Sequence, residues 1–150
     1  MRKTVLFICS ITLFSVIVFV AACGSGSNSN TATNAPSSGK TIATGSAGNN
    51  LTATVSNANG ILRKGQQEFT LTFTDASGKS VDVGAVAFNN HMAAMGSMSA
   101  MNDTATLTTT GTPGVYKGKV EIEMAGEWQA QITYEGPAGK GAFTLPIVAK

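Results

Sequence analysis

The chain has 150 residues, 43% hydrophobic and 12% charged, with ten Lys+Arg against eight Asp+Glu and a formal net charge of +2 at pH 7. Arg2 and Lys3 belong to the leader described below, so the remainder balances at eight against eight, and the small basic excess gives no footprint for nucleic acid. One histidine and two cysteines, both within the first 23 residues, exclude a disulfide framework, thiolate zinc sites and multi-imidazole metal centres from the rest of the chain.

In chain order, Met1-Arg2-Lys3 supplies a charged start, residues 4–20 form an uncharged, predominantly apolar stretch, and small Ala21-Ala22 follow. A charged n-region, an h-region and a small-residue cleavage site make a secretory signal. The stretch is also close to the ~20 apolar residues of a membrane span, so an uncleaved anchor is the alternative. Val20-Ala21-Ala22-Cys23 resembles a bacterial lipobox. In such signals the cysteine is acylated, palmitate being one such chain, and becomes the mature N-terminus. That resemblance implies a signal peptide at 1–22, lipidation at Cys23, and a protein held by its lipid on the extracytoplasmic side of a bacterial membrane. Cys9 leaves with the signal.

Residues 24–50, "GSGSNSNTATNAPSSGKTIATGSAGNN", carry one charge, Lys40, and little that is large and apolar except Ile42. Such a composition cannot bury enough surface to offset its ordering entropy, so residues 23–50 are expected to be the lipidated cysteine and a flexible tether. As a coil it would reach roughly 30 Å, enough to hold a domain clear of a lipid surface.

Residues 51–150 have the size of one small domain. Phe69, Leu71 and Phe73 alternate with Thr70, Thr72 and Thr74; Val120 and Ile122 alternate with Lys119, Glu121 and Glu123; Trp128, Ala130, Ile132 and Tyr134 alternate with Gln129, Gln131 and Thr133; Phe143, Leu145 and Ile147 repeat the pattern. Period-2 alternation of this kind is the signature of strands with one wet face. Turn residues at Asp75–Gly78, Thr112-Pro113-Gly114, Gly126 and Gly136-Pro137-Ala138-Gly139 divide them. The pattern predicts seven strands, near 51–57, 67–74, 81–88, 104–110, 115–124, 127–134 and 141–149. No window has a helical period. The expected fold is all-β, an immunoglobulin-like sandwich of about seven antiparallel strands. Trp128 is expected in the core. Pro146 removes a ladder donor from the last strand, which places it at an edge or bulge.

No catalytic constellation emerges. His91 would be the only base for a nucleophilic triad, there is no G-x-S-x-G elbow, and no phosphate-cradling glycine loop occurs. Glu121, Glu123 and Glu127 fall on the solvent face of a hairpin. The chain is not expected to be an enzyme.

One segment stands out. "HMAAMGSMSAM", residues 91–101, holds the only histidine and four of the six methionines, Met92, Met95, Met98 and Met101, at every third position. A core uses methionine singly to fill gaps, whereas these lie among Ala, Gly and Ser between two predicted strands, where function concentrates. If the loop made a helical turn, threefold spacing would align the sulfurs on one side. Thioethers are soft, neutral ligands that suit Cu(I) and disfavour Zn, Mg or Ca. Three of them, or two with the His91 imidazole, would make a low-coordinate Cu(I) site. The alternative is a pliable hydrophobic contact for a partner protein. Spacing alone leaves both open.

"DVGAVAFNNHMAAMGSM" followed by "PGVYKGKVEIEMAGEWQAQITYEGPAGKG" resembles the YtkA-like domain family over about residues 50–148. The order carries the resemblance: a strand ending in a Met-rich segment, a G-x-Y strand at Gly114-Val115-Tyr116, and an M-x-G-x-W hairpin at Met124-Ala125-Gly126-Glu127-Trp128. The resemblance implies a small β-sandwich in a secreted or lipid-anchored envelope protein, with a link to heavy-metal efflux components. It favours copper handling through Met92, Met95 and Met98, with His91 or Met101, and a copper-handling or efflux protein of the envelope as partner. The loop departs from the family pattern, in which Met-Pro opens the segment and a histidine follows the methionines. Here His91 comes first and there is no proline. Met124, in an alternating strand, is expected to face the core.

Overall fold

The structure, a computed structural model, describes residues 39–150. The leader, the Val20–Cys23 motif and the linker up to residue 38 lie outside them. Within this range the chain forms nine strands and no helix: β1 (Lys40–Gly48), β2 (Leu51–Asn57), β3 (Gly65–Thr74), β4 (Ala85–Met92), β5 (Met101–Thr104), β6 (Thr106–Thr109), β7 (Val115–Ile122), β8 (Gly126–Gly136) and β9 (Gly139–Ala149). They pair antiparallel in two sheets, ordered β1-β2-β3-β7-β6 and β5-β4-β8-β9.

The alternating residues become the core. Phe69, Leu71 and Phe73 of β3, Val120 and Ile122 of β7, Trp128, Ala130, Ile132 and Tyr134 of β8, and Leu145 and Ile147 of β9 are all buried. An aromatic seam joins the sheets. The Phe69 and Phe88 ring centroids are 4.7 Å apart, and Phe73 meets Tyr134 edge-on at 5.5 Å. Off-stacked and edge-to-face pairs of this kind contribute beyond the area they bury. Trp128 is 1% exposed, and its Nε1 donates to the Met124 carbonyl at 3.1 Å. That bond gives the indole its one polar partner inside an apolar layer. Pro146 is exposed on β9, an edge strand, where its missing N–H costs no ladder bond between neighbours.

The architecture differs from the seven-strand expectation in three places. Lys40–Gly48, assigned to the flexible linker, is a strand, so the ordered domain begins before residue 51. Its sequence is Thr-, Ser- and Gly-rich because β1 is an edge strand, and tertiary contacts hold it. The Tyr134 hydroxyl donates to the Ala47 carbonyl at 3.1 Å, and the Asn49 amide donates to that hydroxyl at 3.0 Å. The strand expected at 81–88 is displaced to Ala85–Met92. Gly84, at φ +74°, turns the chain there, because a Cβ at this position would meet the Glu135 carbonyl oxygen at 2.5 Å. The single strand expected at 104–110 is two. The chain leaves one sheet after Thr104 and joins the other at Thr106, with Ala105 buried at the crossing and its N–H bonded to Phe88. Strands that change sheets at a bend are how sandwiches close their ends.

Candidate metal-binding hairpin

β4 and β5 are the two arms of one hairpin, and all five candidate ligands lie on it. The β4–β5 register pairs Asn89 with Thr104, Asn90 with Asp103, His91 with Asn102 and Met92 with Met101. The ladder is interrupted beyond Met92, then resumes in the same register. Met95 N donates to Met98 O at 3.1 Å and Met98 N to Met95 O at 2.9 Å. Gly96 and Ser97 form the turn, with Gly96 at φ +58° in the first central position, where a type II′ turn requires glycine.

This geometry replaces the helical turn. On a helix, threefold spacing gathers residues on one side. Around a two-residue turn it produces two cross-strand pairs, Met92 with Met101 and Met95 with Met98. The pairs have different surroundings. Met92 is 3% exposed and part of the core, its terminal carbon lying where a side chain on Gly126 would be, so it is not a solvent-accessible loop ligand. Its position on the inward face of β4, after Phe88 and Asn90, dictates this. Met101 is half-buried and packs against the same core. Met95 and Met98, at the tip, are 51% and 41% exposed. Met124 packs against the core from a bend after β7, as its place in the sequence suggested.

His91 belongs to a different surface. Its Nδ1 lies 2.9 Å from Asn102 Oδ1, while Asn89 contacts both Asn102 and Gln131 and accepts a bond from the Thr104 hydroxyl at 3.1 Å. This is a polar cross-strand ladder on the outer face of the sheet. With Asn102 Oδ1 as acceptor, Nδ1 is the donor of this bond, which ties the ring to the outer face of the sheet. In an extended chain His91 is up to ~13 Å from Met95, so the strand does not bring imidazole and tip thioethers together.

Two further residues of the hairpin escaped the sequence reading. Asn90 is fully buried, and neither its Nδ2 nor its Oδ1 has a partner. Its cross-strand neighbour Asp103 has a buried, unpartnered Oδ2. Burial, above all, holds the Asp103 carboxyl above its usual range; the Glu123 backbone N–H opposes this, and the charges of Glu123 and Glu121 add to it. The signal that would have found both residues is the Met-Gly-Ser-Met turn. Once the register is set there, Asn90 and Asp103 fall on the inward face.

Among the described residues no three His, Cys, Asp or Glu side chains group as metal ligands, so a site on this hairpin has to draw on sulfur. Fold and hairpin together define an antiparallel β-sandwich that presents a methionine-tipped turn at one end. The chain belongs to the YtkA-like family, whose match spans residues 46–133. The match opens inside β1 and closes inside β8, so it includes the whole hairpin. No curated protein and no solved structure matches the chain.

Proposed function

We propose that this chain is a lipid-anchored, extracytoplasmic module that binds Cu(I) at the tip of the β4–β5 hairpin and buffers the ion or passes it on, without transforming it. The observation that carries this reading is the Met95–Met98 pair. The mutual backbone bonds fix two thioethers directly opposite one another, and both remain exposed. Directly opposed residues of an antiparallel pair have Cβ atoms about 4.5–5.5 Å apart, within the span that two flexible thioethers bridge around one soft ion. Two neutral sulfurs leave such an ion under-coordinated. An incoming partner, an envelope copper-handling or efflux protein, would complete its coordination, and an open pair therefore suits transfer. Thioethers also keep their ligand character in an oxidising compartment where thiols are lost to disulfides.

Exposed methionines equally suit a hydrophobic contact, and exposure at the tip favours that second reading: a non-metal interaction module of an envelope complex. Copper dependence of stability separates the two. In the full chain carrying Cys9→Ser and Cys23→Ser, Cu(I) should raise the melting temperature, because a ligand held only by the folded state adds RT ln(1 + [L]/Kd). Zinc should do little. The contact reading expects no copper shift. Anchoring has its own test. Cys23→Ser should remove the protein from the lipid fraction, and unchanged membrane partitioning would contradict lipidation at that residue.

A further inference from the structure

Asn90 is explained neither by the core nor by the tip. A buried amide with both polar atoms unpartnered is rare in a folded protein and points to something that completes it. Asn90 and Asp103 are directly opposed in register on the inward face of the hairpin, close enough in backbone position for one ion to reach both although the two side chains do not bond each other. One step along the same face, Met92 and Met101 are the next opposed inward pair. Ala130, across from Asn90 on β8, is small and apolar and offers the amide no polar partner. Four donors, two oxygens and two sulfurs, therefore occupy neighbouring positions. Met101 and Asp103 are half-buried on the edge strand β5, which leaves a route from solvent.

Charge decides what fits there. Among the described residues the one salt bridge joins Lys119 to Glu68, so Asp103 has no cationic partner. Glu121 and Glu123 add negative charge nearby. A water molecule offers hydrogen bonds alone, whereas a cation can take the carboxyl oxygen and the amide oxygen together with the neighbouring sulfurs. The carboxylates do not group closely enough to make an all-oxygen cage for a hard divalent ion. Paired thioethers select a soft, monovalent one.

We propose that Asn90, Asp103, Met92 and Met101 form a second, interior site for a soft monovalent cation, Cu(I) or its redox-inert surrogate Ag(I). The inference rests on the Cu(I) reading of the tip for the identity of the cargo. The hairpin then has two stations three residues apart, an exposed one that receives the ion and an enclosed one that retains it.

The test is Ag(I) titration of the full chain carrying Cys9→Ser and Cys23→Ser, read by native mass spectrometry and by the methionine ε-methyl resonances. The expected result is two ions per chain. Met95→Leu with Met98→Leu should keep one, and that ion should shift the Met92 and Met101 methyl signals. Asp103→Asn, which preserves shape, and Asn90→Ala should each weaken the retained ion at least tenfold in that background, with folding checked by thermal melts. A single ion that disappears with the tip methionines overturns the interior site and leaves the tip reading intact. Met92 and Met101 signals that do not respond to Ag(I) overturn it in favour of water or a proton at Asp103. No binding to the parent chain overturns both.

Discussion

Met95 and Met98 exchange both backbone hydrogen bonds across Gly96-Ser97, at 3.1 and 2.9 Å, and so hold their side chains opposite one another at the exposed end of the hairpin. Met92 and Met101, opposed in the same register, turn into the sandwich. Equal spacing in sequence thus yields unequal roles. Met92→Ala should cost ~2–5 kcal/mol, the usual range for a buried large-to-small change. Met95→Ala should stay within about 0.5 kcal/mol, as surface changes do. Denaturant melts of the two metal-free variants check this, and equal losses would contradict the partition.

Trp128→Ala should remove ~3–5 kcal/mol, a large share of the ~5–15 kcal/mol that stabilises a domain. The ring is 1% exposed and its Nε1 ties the core to the Met124 carbonyl. A loss below about 1 kcal/mol in urea unfolding would contradict the burial.

Tyr116 donates its hydroxyl to the Gly84 carbonyl at 2.7 Å, and burial, with the Asp82 charge adding to it, raises its ionisation above the ordinary 10.0. The folded state therefore holds the phenolic proton more tightly than the unfolded chain does. Between the ordinary and the raised value the native state binds more protons, and stability falls as pH rises. This contribution is complete below 10.0 and lost as pH climbs through the folded value. Tyr116→Phe should cost about 1 kcal/mol at pH 7 for the lost bond. Its deficit relative to the parent should shrink above pH 10. A deficit that grows there would contradict the sign.

Removing β1 should destabilise the domain. A chain starting at residue 49 lacks the Ala47 carbonyl that accepts from Tyr134, and it uncovers Leu145, which lies against Gly45. The expected loss against a chain starting at residue 39 is about 1 kcal/mol for that bond, plus the loss of apolar cover. Thermal melts of the two chains check it, and equal melting temperatures would make β1 dispensable.

The sandwich was legible where burial alternates with exposure. Phe69-Thr-Leu-Thr-Phe73 and Trp128-Gln-Ala-Gln-Ile132 state their apolar faces directly and are buried on the side they state, although Thr72, expected on the wet face of β3, is buried as well. β1 was not legible, since Gly45 lies against Leu145 where no Cβ would fit and Ala47 is held through its backbone carbonyl by Tyr134, and small residues also make linkers. β4 was misplaced because Asn89-Asn90-His91 looks like a loop, yet its register with β5 and β8 makes it strand. The methionines were found by composition, but their partition required the turn. Asn90 and Asp103 went unnoticed because a polar residue facing inward breaks the pattern by which inward faces are recognised.

The most direct test of the tip as a copper site is a Cu(I) competition titration against a chromogenic chelator under reducing, anaerobic conditions. The full chain with Cys9→Ser and Cys23→Ser would be compared with the same chain carrying Met95→Leu and Met98→Leu. Both thioethers are exposed, so the leucines should leave metal-free stability within ~1.5 kcal/mol. The account predicts that the parent withdraws Cu(I) from the chelator and that the leucine variant withdraws less, by the share held at the tip. Equal withdrawal by the two chains, or none by the parent, would contradict it.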